Sequence, residues 1–299
     1  MKRILFFLPV MIALFSIISF ESCQSTKSAT ATKMLQFNFE KGKGYDYEMM
    51  MDIDQKVMGQ PMKMGMSTYY SMDVTEDDGI MKTLTTRFDR FKMDMNVAGM
   101  DMTVDTDKKA TADDDKNPMQ MMNRIFGAIK GQQFTMKINK EGKVEEVSGF
   151  KEMAGAIADS MQLDEKERAE MIAKFNQQFN ENGIKGQFER VLYIFPNKEV
   201  KVGDSWEKST SVTGQMAGKY KSTYTVKEIE GDMVTLEEKT KIEGEAEGSD
   251  MDGKVSGILV VDSKSGLVVN ADQDVVIEIK KNGQSIVLNA KNKIRGKVR

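Results

Sequence analysis

The sequence predicts an α+β fold, in which long, curved antiparallel strands form a half-barrel-like sheet with three or four helices in the middle of the chain. Two long portions, residues 35–102 and 200–298, alternate apolar and polar side chains with a period of two. Turns rich in Gly, Asp and Asn bound the alternating runs. Between the two portions, residues 117–195 carry apolar side chains at helical spacing.

The first 22 residues predict a lipoprotein signal peptide. Lys2 and Arg3 precede a long apolar run, and the small residue Ser22 precedes Cys23. This cysteine resembles the acylated residue of the bacterial lipobox, which implies an exported, lipid-anchored bacterial protein. The residues before it depart from the usual box and resemble looser boxes of Bacteroidota. An uncleaved membrane span is one alternative, because a run of about 17 apolar residues could just cross a bilayer. An ordinary signal peptide followed by an unmodified cysteine is the other.

Residues 23–33 are predicted to be the acylated cysteine and a flexible tether. The tract after Cys23 consists of Gln, Ser, Thr, Ala and Lys, which cannot bury a core. It lacks the acidic cluster that surface-exported lipoproteins of Bacteroidota tend to carry. The predicted location is therefore the bacterial cell envelope, on the outer membrane facing the periplasm.

Composition excludes several kinds of chemistry. The chain has no histidine, and its one cysteine is assigned to the anchor, so Ser-His-Asp and Cys-His sites are excluded. The net charge is −3 and no basic stripe is interleaved with aromatic residues, so no nucleic-acid partner is predicted. The segment 250–253 fails the register of a calcium loop, because Gly248 and Leu259 fall at its first and last ligand positions. No catalytic residue, metal ligand or cofactor is predicted, and the chain is not expected to be an enzyme.

The first β-rich portion reads as an antiparallel meander with one buried face. Alternation predicts strands over residues 35–39, 45–53, 62–68 and 80–95. The polar segment 105–116 is predicted to be a loop.

Helical signals follow this loop. Asn117 is a predicted N-cap, Pro118 occupies the first helical position, and Gly131 follows the end. The buried stripe of this helix comprises Met122, Ile125, Phe126 and Ile129. A short hairpin, 134–147, separates it from the next helix.

Two further helices are predicted after this hairpin. One begins near Phe150, and the next begins with a capping box of Asp164 and Glu167 and ends at Gly183. The segment before Pro196 has helical spacing, although a strand is possible there.

The C-terminal portion returns to strands. They are predicted over residues 200–212, 219–230, 233–243, 254–261, 267–280 and 285–298. Asn282-Gly283 is a strong hairpin signal. Residues 34–299 are therefore predicted to form one α+β domain. A faint echo between two hairpins suggests two similar β units, about 34–149 and 196–299, joined by the helical segment 150–195.

Methionine is the unusual component, with 26 residues, many in Met-x-Met pairs. In a strand such pairs share a face. Methionine adapts to irregular apolar partners, so a plastic wall for an apolar ligand is predicted. The candidate lining residues are Met49, Met51, Met62, Met64, Met66, Phe126 and Phe175. Thioethers also suit Cu(I), which leaves methionine-based Cu(I) binding as an alternative.

One short stretch, 195–206, contains the single tryptophan, Trp206, after a Pro-ended segment and a Gly-Asp turn. Together with the opening at 39–47 and the hairpin at 261–267, it resembles an uncharacterised family of Bacteroidota lipoproteins known only as a domain of unknown function. The resemblance implies a location in the bacterial cell envelope and identifies no catalytic residues.

The functional hypothesis is a membrane-anchored envelope lipoprotein without enzymatic activity. Its expected partners are the membrane, through Cys23, and a hydrophobic small molecule or an envelope protein. A purely structural lipoprotein with a filled core is the second hypothesis, and Cu(I) binding is the third.

Overall fold

The computed structural model describes residues 31–57, 60–97, 99–108, 118–161, 163–178, 181–213, 216–246, 248–281 and 284–299. The predicted signal peptide and Cys23 lie outside the described residues, as does most of the tether. The same holds for the predicted N-cap Asn117 and the predicted turn Asn282-Gly283.

The described residues form fourteen strands and four helices. The strands are β1 (Lys33–Leu35), β2 (Gly44–Val57), β3 (Gln60–Asp77), β4 (Met81–Val97), β5 (Met100–Asp105), β6 (Gln133–Asn139), β7 (Val144–Ser148), β8 (Lys198–Val200), β9 (Ser205–Val212), β10 (Met216–Glu230), β11 (Met233–Ala246), β12 (Ser249–Asp262), β13 (Leu267–Lys281) and β14 (Gln284–Val298). The helices are α1 (Pro118–Ile129), α2 (Phe150–Ser160), α3 (Glu165–Gln178) and α4 (Glu181–Leu192).

The predicted fold class is confirmed. Twelve strands form one curved, open antiparallel sheet in the order β7-β6-β4-β3-β2-β14-β13-β12-β11-β10-β9, with β5 also paired to β4. The strand β2, from the beginning of the domain, pairs with β14 at its end. The two-stranded sheet of β1 and β8 is separate, and the four helices lie in the middle of the chain.

Helix α4 bridges the two edges of the large sheet, because it packs against both β7 and β9. At β7, the Glu189 carboxylate accepts the Val144 N–H at 3.2 Å, and burial raises the pKa of Glu189. At β9, a Cβ on Gly186 would lie 2.3 Å from the Ser211 carbonyl oxygen. Only glycine therefore allows this close approach of helix and strand.

The concave face of the sheet holds two hydrophobic clusters. The larger one joins the helices to the N-terminal end of the domain and includes Phe39, Tyr45, Phe134, Phe195 and Trp206. The Trp206 indole donates to the Ile194 carbonyl oxygen at 2.7 Å. The smaller cluster lies further along the same strands and includes Ile53, Tyr220, Ile242, Met251, Val275 and Ile277.

Several local predictions hold and others were wrong. The capping box of α3 is confirmed: the Glu167 N–H donates to Asp164 Oδ1 at 2.8 Å, and the Asp164 N–H donates to Glu167 Oε2 at 3.3 Å. Gly183, predicted as a helix stop, is instead buried inside α4, because tertiary packing overrides its low helical propensity.

Two predicted strands also differ. The prediction of one strand over 200–212 was wrong, because the turn at Gly203 (φ +92°) separates β8 from β9, and the chain changes partner from β1 to β10. The strand predicted over 35–39 ends at Leu35. The Asn38 N–H beyond it donates to the Ser265 carbonyl oxygen, and the flanking aromatic residues stay buried.

Candidate functional site

A cavity of about 470 Å³ lies between the helices and the concave face of β3 and β4. We name it the aromatic cavity. It is lined by Thr68, Tyr70, Phe88, Arg90, Phe91, Ile125, Phe126, Ile129, Lys130, Phe150, Met153, Ile157, Met171, Phe175, Ile184, Gln187 and Phe188. Such a lining, apolar with a few polar groups, is typical of small-molecule sites of 300–1,000 Å³.

A β-bulge in β4 builds one wall of the aromatic cavity. Tyr69 is opposite Arg90, whereas Tyr70 is opposite Phe88, so Asp89 is the extra residue. The bulge shifts the alternation of β4 by one residue, which allows both Phe88 and Phe91 to line the cavity. Burial raises the pKa of Tyr70 to about 12, so its phenol stays neutral at physiological pH.

Helix α1 supplies an adjoining wall. Its apolar stripe presents Ile125, Phe126 and Ile129 to the cavity, and the Phe126 ring stacks on Phe91 with ring centroids 3.6 Å apart. Three residues of the predicted stripe of this helix thus line the cavity, whereas the fourth, Met122, does not.

One end of the cavity carries charged groups, beside a gap in the sheet. Strand β5 pairs with residues 92–97 of β4 and β6 pairs with residues 81–87, so the gap falls at Arg90. The Arg90 guanidinium donates two hydrogen bonds, of 3.0 and 2.8 Å, to the buried Asp105 carboxylate. These bonds from Arg90 hold the pKa of Asp105 below its ordinary value.

A second cavity, of about 960 Å³, lies further along the sheet. We name it the methionine groove. Its lining includes one in-register row of apolar residues: Val275, Ala290, Ile53, Met64, Met95 and Met102. The next row, Met51–Met66–Met93, is also in register and lies between the groove and the aromatic cavity.

The structure divides the predicted lining residues among several places. Phe126 and Phe175 line the aromatic cavity, and Met64 lines the methionine groove. Met49 lines a small pocket of about 80 Å³ beside α4. Two others, Met51 and Met66, pack against the smaller hydrophobic cluster. The last one, Met62, lines none of the described cavities.

A row of three polar residues and one glycine, which periodicity does not single out, crosses the concave face between the two clusters. We name this row the polar band. Its members are in register on β11 to β14: Glu238, Gly257, Gln273 and Asn292. Gln273 Nε2 donates to Glu238 Oε2 at 2.5 Å, and Thr240 Oγ1 donates to Glu238 Oε1 at 2.6 Å. The Asn292 side-chain oxygen is buried and has no hydrogen-bond partner in the described part of the chain.

Two further structural findings concern metals and membranes. Within the described residues, no three His, Cys, Asp or Glu side chains are grouped as a metal site would require. No described helix has both the length and the apolar composition needed to cross a bilayer.

The sequence matches the family described as Family of unknown function (DUF6263) over residues 79–268. No curated protein matches the chain.

Three solved structures illustrate its structural likenesses. The first is a lipovitellin structure, described as "Lipid–protein interactions in lipovitellin". It is 8% identical at a TM-score of 0.49 and covers 88% of this chain. The chain spans 26% of that structure. The translocator domain of the autotransporter NalP from Neisseria meningitidis is 5% identical at a TM-score of 0.23, covering 86% of this chain and 88% of that one. The Pseudomonas aeruginosa protein OccK5 is 7% identical at a TM-score of 0.23, covering 88% of this chain and 99% of that one. Likenesses this distant carry no argument about function.

Proposed function

The chain belongs to the Family of unknown function (DUF6263), and on that premise we propose that it binds an apolar ligand in the aromatic cavity. The observation that carries the proposal is the cavity itself, about 470 Å³ enclosed by side chains of β3, β4 and all four helices. A purely structural lipoprotein would have no need of it. Each ligand methylene buried there contributes about 0.8 kcal/mol before the costs of association.

We also propose that the protein carries out this binding as a lipoprotein of the bacterial outer membrane, facing the periplasm, and without catalysis. The position of Cys23 directly after a signal-like segment supports this location. The absence of histidine from the sequence supports ligand binding rather than catalysis. An envelope protein is the alternative partner.

Native mass spectrometry tests the ligand proposal. The mature chain carrying Cys23→Ser, purified from the periplasm, should show excess mass that organic solvent extracts as lipid. Met171→Trp adds bulk to the cavity wall and should reduce this excess at least several-fold. Met233→Trp is the matched control, because Met233 is exposed at the start of β11.

The proposal fails if the protein carries no extractable mass, or if Met171→Trp carries as much as the control.

The same spectra test Cu(I) binding, the second candidate function. The in-register thioethers of Met51, Met66 and Met93 favour it. Mass equal to copper, kept only under reducing conditions, would support that candidate.

A further inference from the structure

We propose that the aromatic cavity takes a single-chain amphiphile with an anionic head, a carboxylate or a phosphate, and that Arg90 and Lys130 hold this head. The inference rests on the proposed function and adds the chemical class of the ligand. It follows from the charges at one end of the cavity, from their preorganisation and from the size of the apolar part.

The charges on the lining have one sign. Among the described residues that line the aromatic cavity, Arg90 and Lys130 are the charged ones, and both are cationic. They lie close together, because both contact the Asp107 carboxylate. Arg90 Nε lies 3.2 Å from Oδ2, and Lys130 Nζ lies 2.6 Å from Oδ1. One anion of carboxylate size can therefore meet both cations at once.

Asp107 shows where a ligand head would lie. Its side chain is 47% exposed, so it can swing into solvent when another anion replaces it. Lys130 also donates to the Thr106 carbonyl oxygen at 3.3 Å, which keeps the ammonium group at this end of the cavity.

Arg90 is held in place independently of Asp107. The side chain of Asp105 is 2% exposed and binds the guanidinium in a bidentate manner. The ring of Tyr69 lies 5.7 Å from the guanidinium carbon. Because these contacts fix the cation before a ligand arrives, binding a head there costs little side-chain entropy.

The apolar part of the cavity fits one chain. Its volume of about 470 Å³ lies in the lower half of the range of small-molecule sites. The rings of Phe88, Phe91 and Phe126 line the same cavity as the two cations, and Met171 and Phe175 of α3 continue the wall. A chain whose head is at Arg90 would thus be covered by aromatic and aliphatic side chains.

Calorimetry with four probes of one chain length tests the inference. Laurate, dodecyl phosphate and dodecyltrimethylammonium, below their micelle concentrations, and dodecanol, below its solubility limit, are titrated into the mature Cys23→Ser chain. The two anions should bind at least about 10-fold more tightly than the alcohol, as expected for a charge-assisted hydrogen bond. The cation should bind most weakly. The anion that binds more tightly identifies the head, and either result supports the inference.

Four variants assign the effect to the proposed residues. Lys130→Met keeps the apolar stem and should remove most of the advantage of the anions, and Lys130→Arg should restore it. Asp107→Asn should tighten laurate binding several-fold, because it removes the competing carboxylate. Lys140→Met, in the turn between β6 and β7, is the control and should change nothing.

Labelling the methionine methyl groups with carbon-13 locates the bound chain by NMR. Met153 and Met171 report the aromatic cavity, and Met64 and Met95 report the methionine groove. Equal affinities for all four probes, with shifts at Met171, would overturn the anionic head and keep the proposed function. Shifts confined to Met64 and Met95 would place the ligand in the groove and overturn the inference. The absence of any binding would overturn both proposals.

Discussion

At the scale of single residues, the polar band depends on one glycine. Gln273 reaches Glu238 across the intervening strand β12, where Gly257 is the residue in register with both. A Cβ on Gly257 would lie 2.4 Å from the Asp272 carbonyl oxygen and 2.8 Å from Gln273 Cγ. The glycine therefore makes room for a hydrogen bond that supports a buried carboxylate, which is costly to leave without partners.

Gly257→Ala should accordingly lower the free energy of unfolding by about 1–3 kcal/mol, the usual cost of overpacking. Gly127→Ala is the matched control, because a Cβ there meets no atom within 4 Å. In helix α1 this control should be neutral or slightly stabilising. Urea unfolding measures both variants, and equal stability of the two would show that the tight contact at Gly257 is not a constraint.

At the scale of elements, an ion-pair clamp holds β1 against the turns of the large sheet. Asp232 binds Lys264 Nζ at 2.6 Å and Lys33 Nζ at 2.9 Å. These bonds, the one from Lys264 first, lower the pKa of Asp232 to about 2. A carboxyl whose pKa is lower in the folded state stabilises that state above its unfolded pKa, and this contribution is lost as the pH falls.

We therefore expect the clamp to weaken as the pH falls from about 4 to about 2. Asp232→Asn should lower the melting temperature at neutral pH, and its melting temperature should fall less than that of the wild type over this acidic range. Asp252→Asn is the control, because its longer contact with Lys280 (3.5 Å) joins two exposed side chains. Parallel pH profiles for the wild type and Asp232→Asn would contradict the assignment.

At the scale of the whole molecule, the topology places the start of the domain at one end of the long strands. The first strand of the domain begins at Lys33, next to the turn between β10 and β11. The predicted tether, residues 23–33, would have an end-to-end distance of about 20 Å as a flexible coil. An acylated Cys23 would thus hold this end of the sheet near the membrane, with the methionine groove at the other end of the strands.

Cys23→Ser in the full-length chain should abolish the incorporation of labelled palmitate, because Cys23 is the only thiol of the sequence and the predicted site of acylation. Ser25→Ala, in the tether, should keep the label. Replacing residues 1–23 with a cleavable signal peptide without a lipobox should move the protein from the membrane fraction to the soluble periplasmic fraction, because several acyl chains are needed for stable anchoring. An unlabelled wild-type protein that stays in the membrane fraction would favour the uncleaved span instead.

Much of the fold is encoded in local patterns. Alternation predicts the long strands, because side chains in a strand change faces at every residue. Cap residues and helical spacing predict α1 to α3, and the face of α1 that contains Phe126 lines the cavity. Arg90 could not be assigned to the site, because the bulge at Asp89 depends on how β3 pairs with β4 rather than on composition.

By itself the sequence determined the period of each segment, the apolar faces and the α+β class, since these follow from backbone geometry over a few residues. Only the tertiary structure decided which faces enclose a cavity. Helix α4 bridges β7 and β9, and Lys130 meets Arg90 through Asp107. Such contacts join residues distant in the chain, and their cross-strand register and close packing are fixed when the elements assemble.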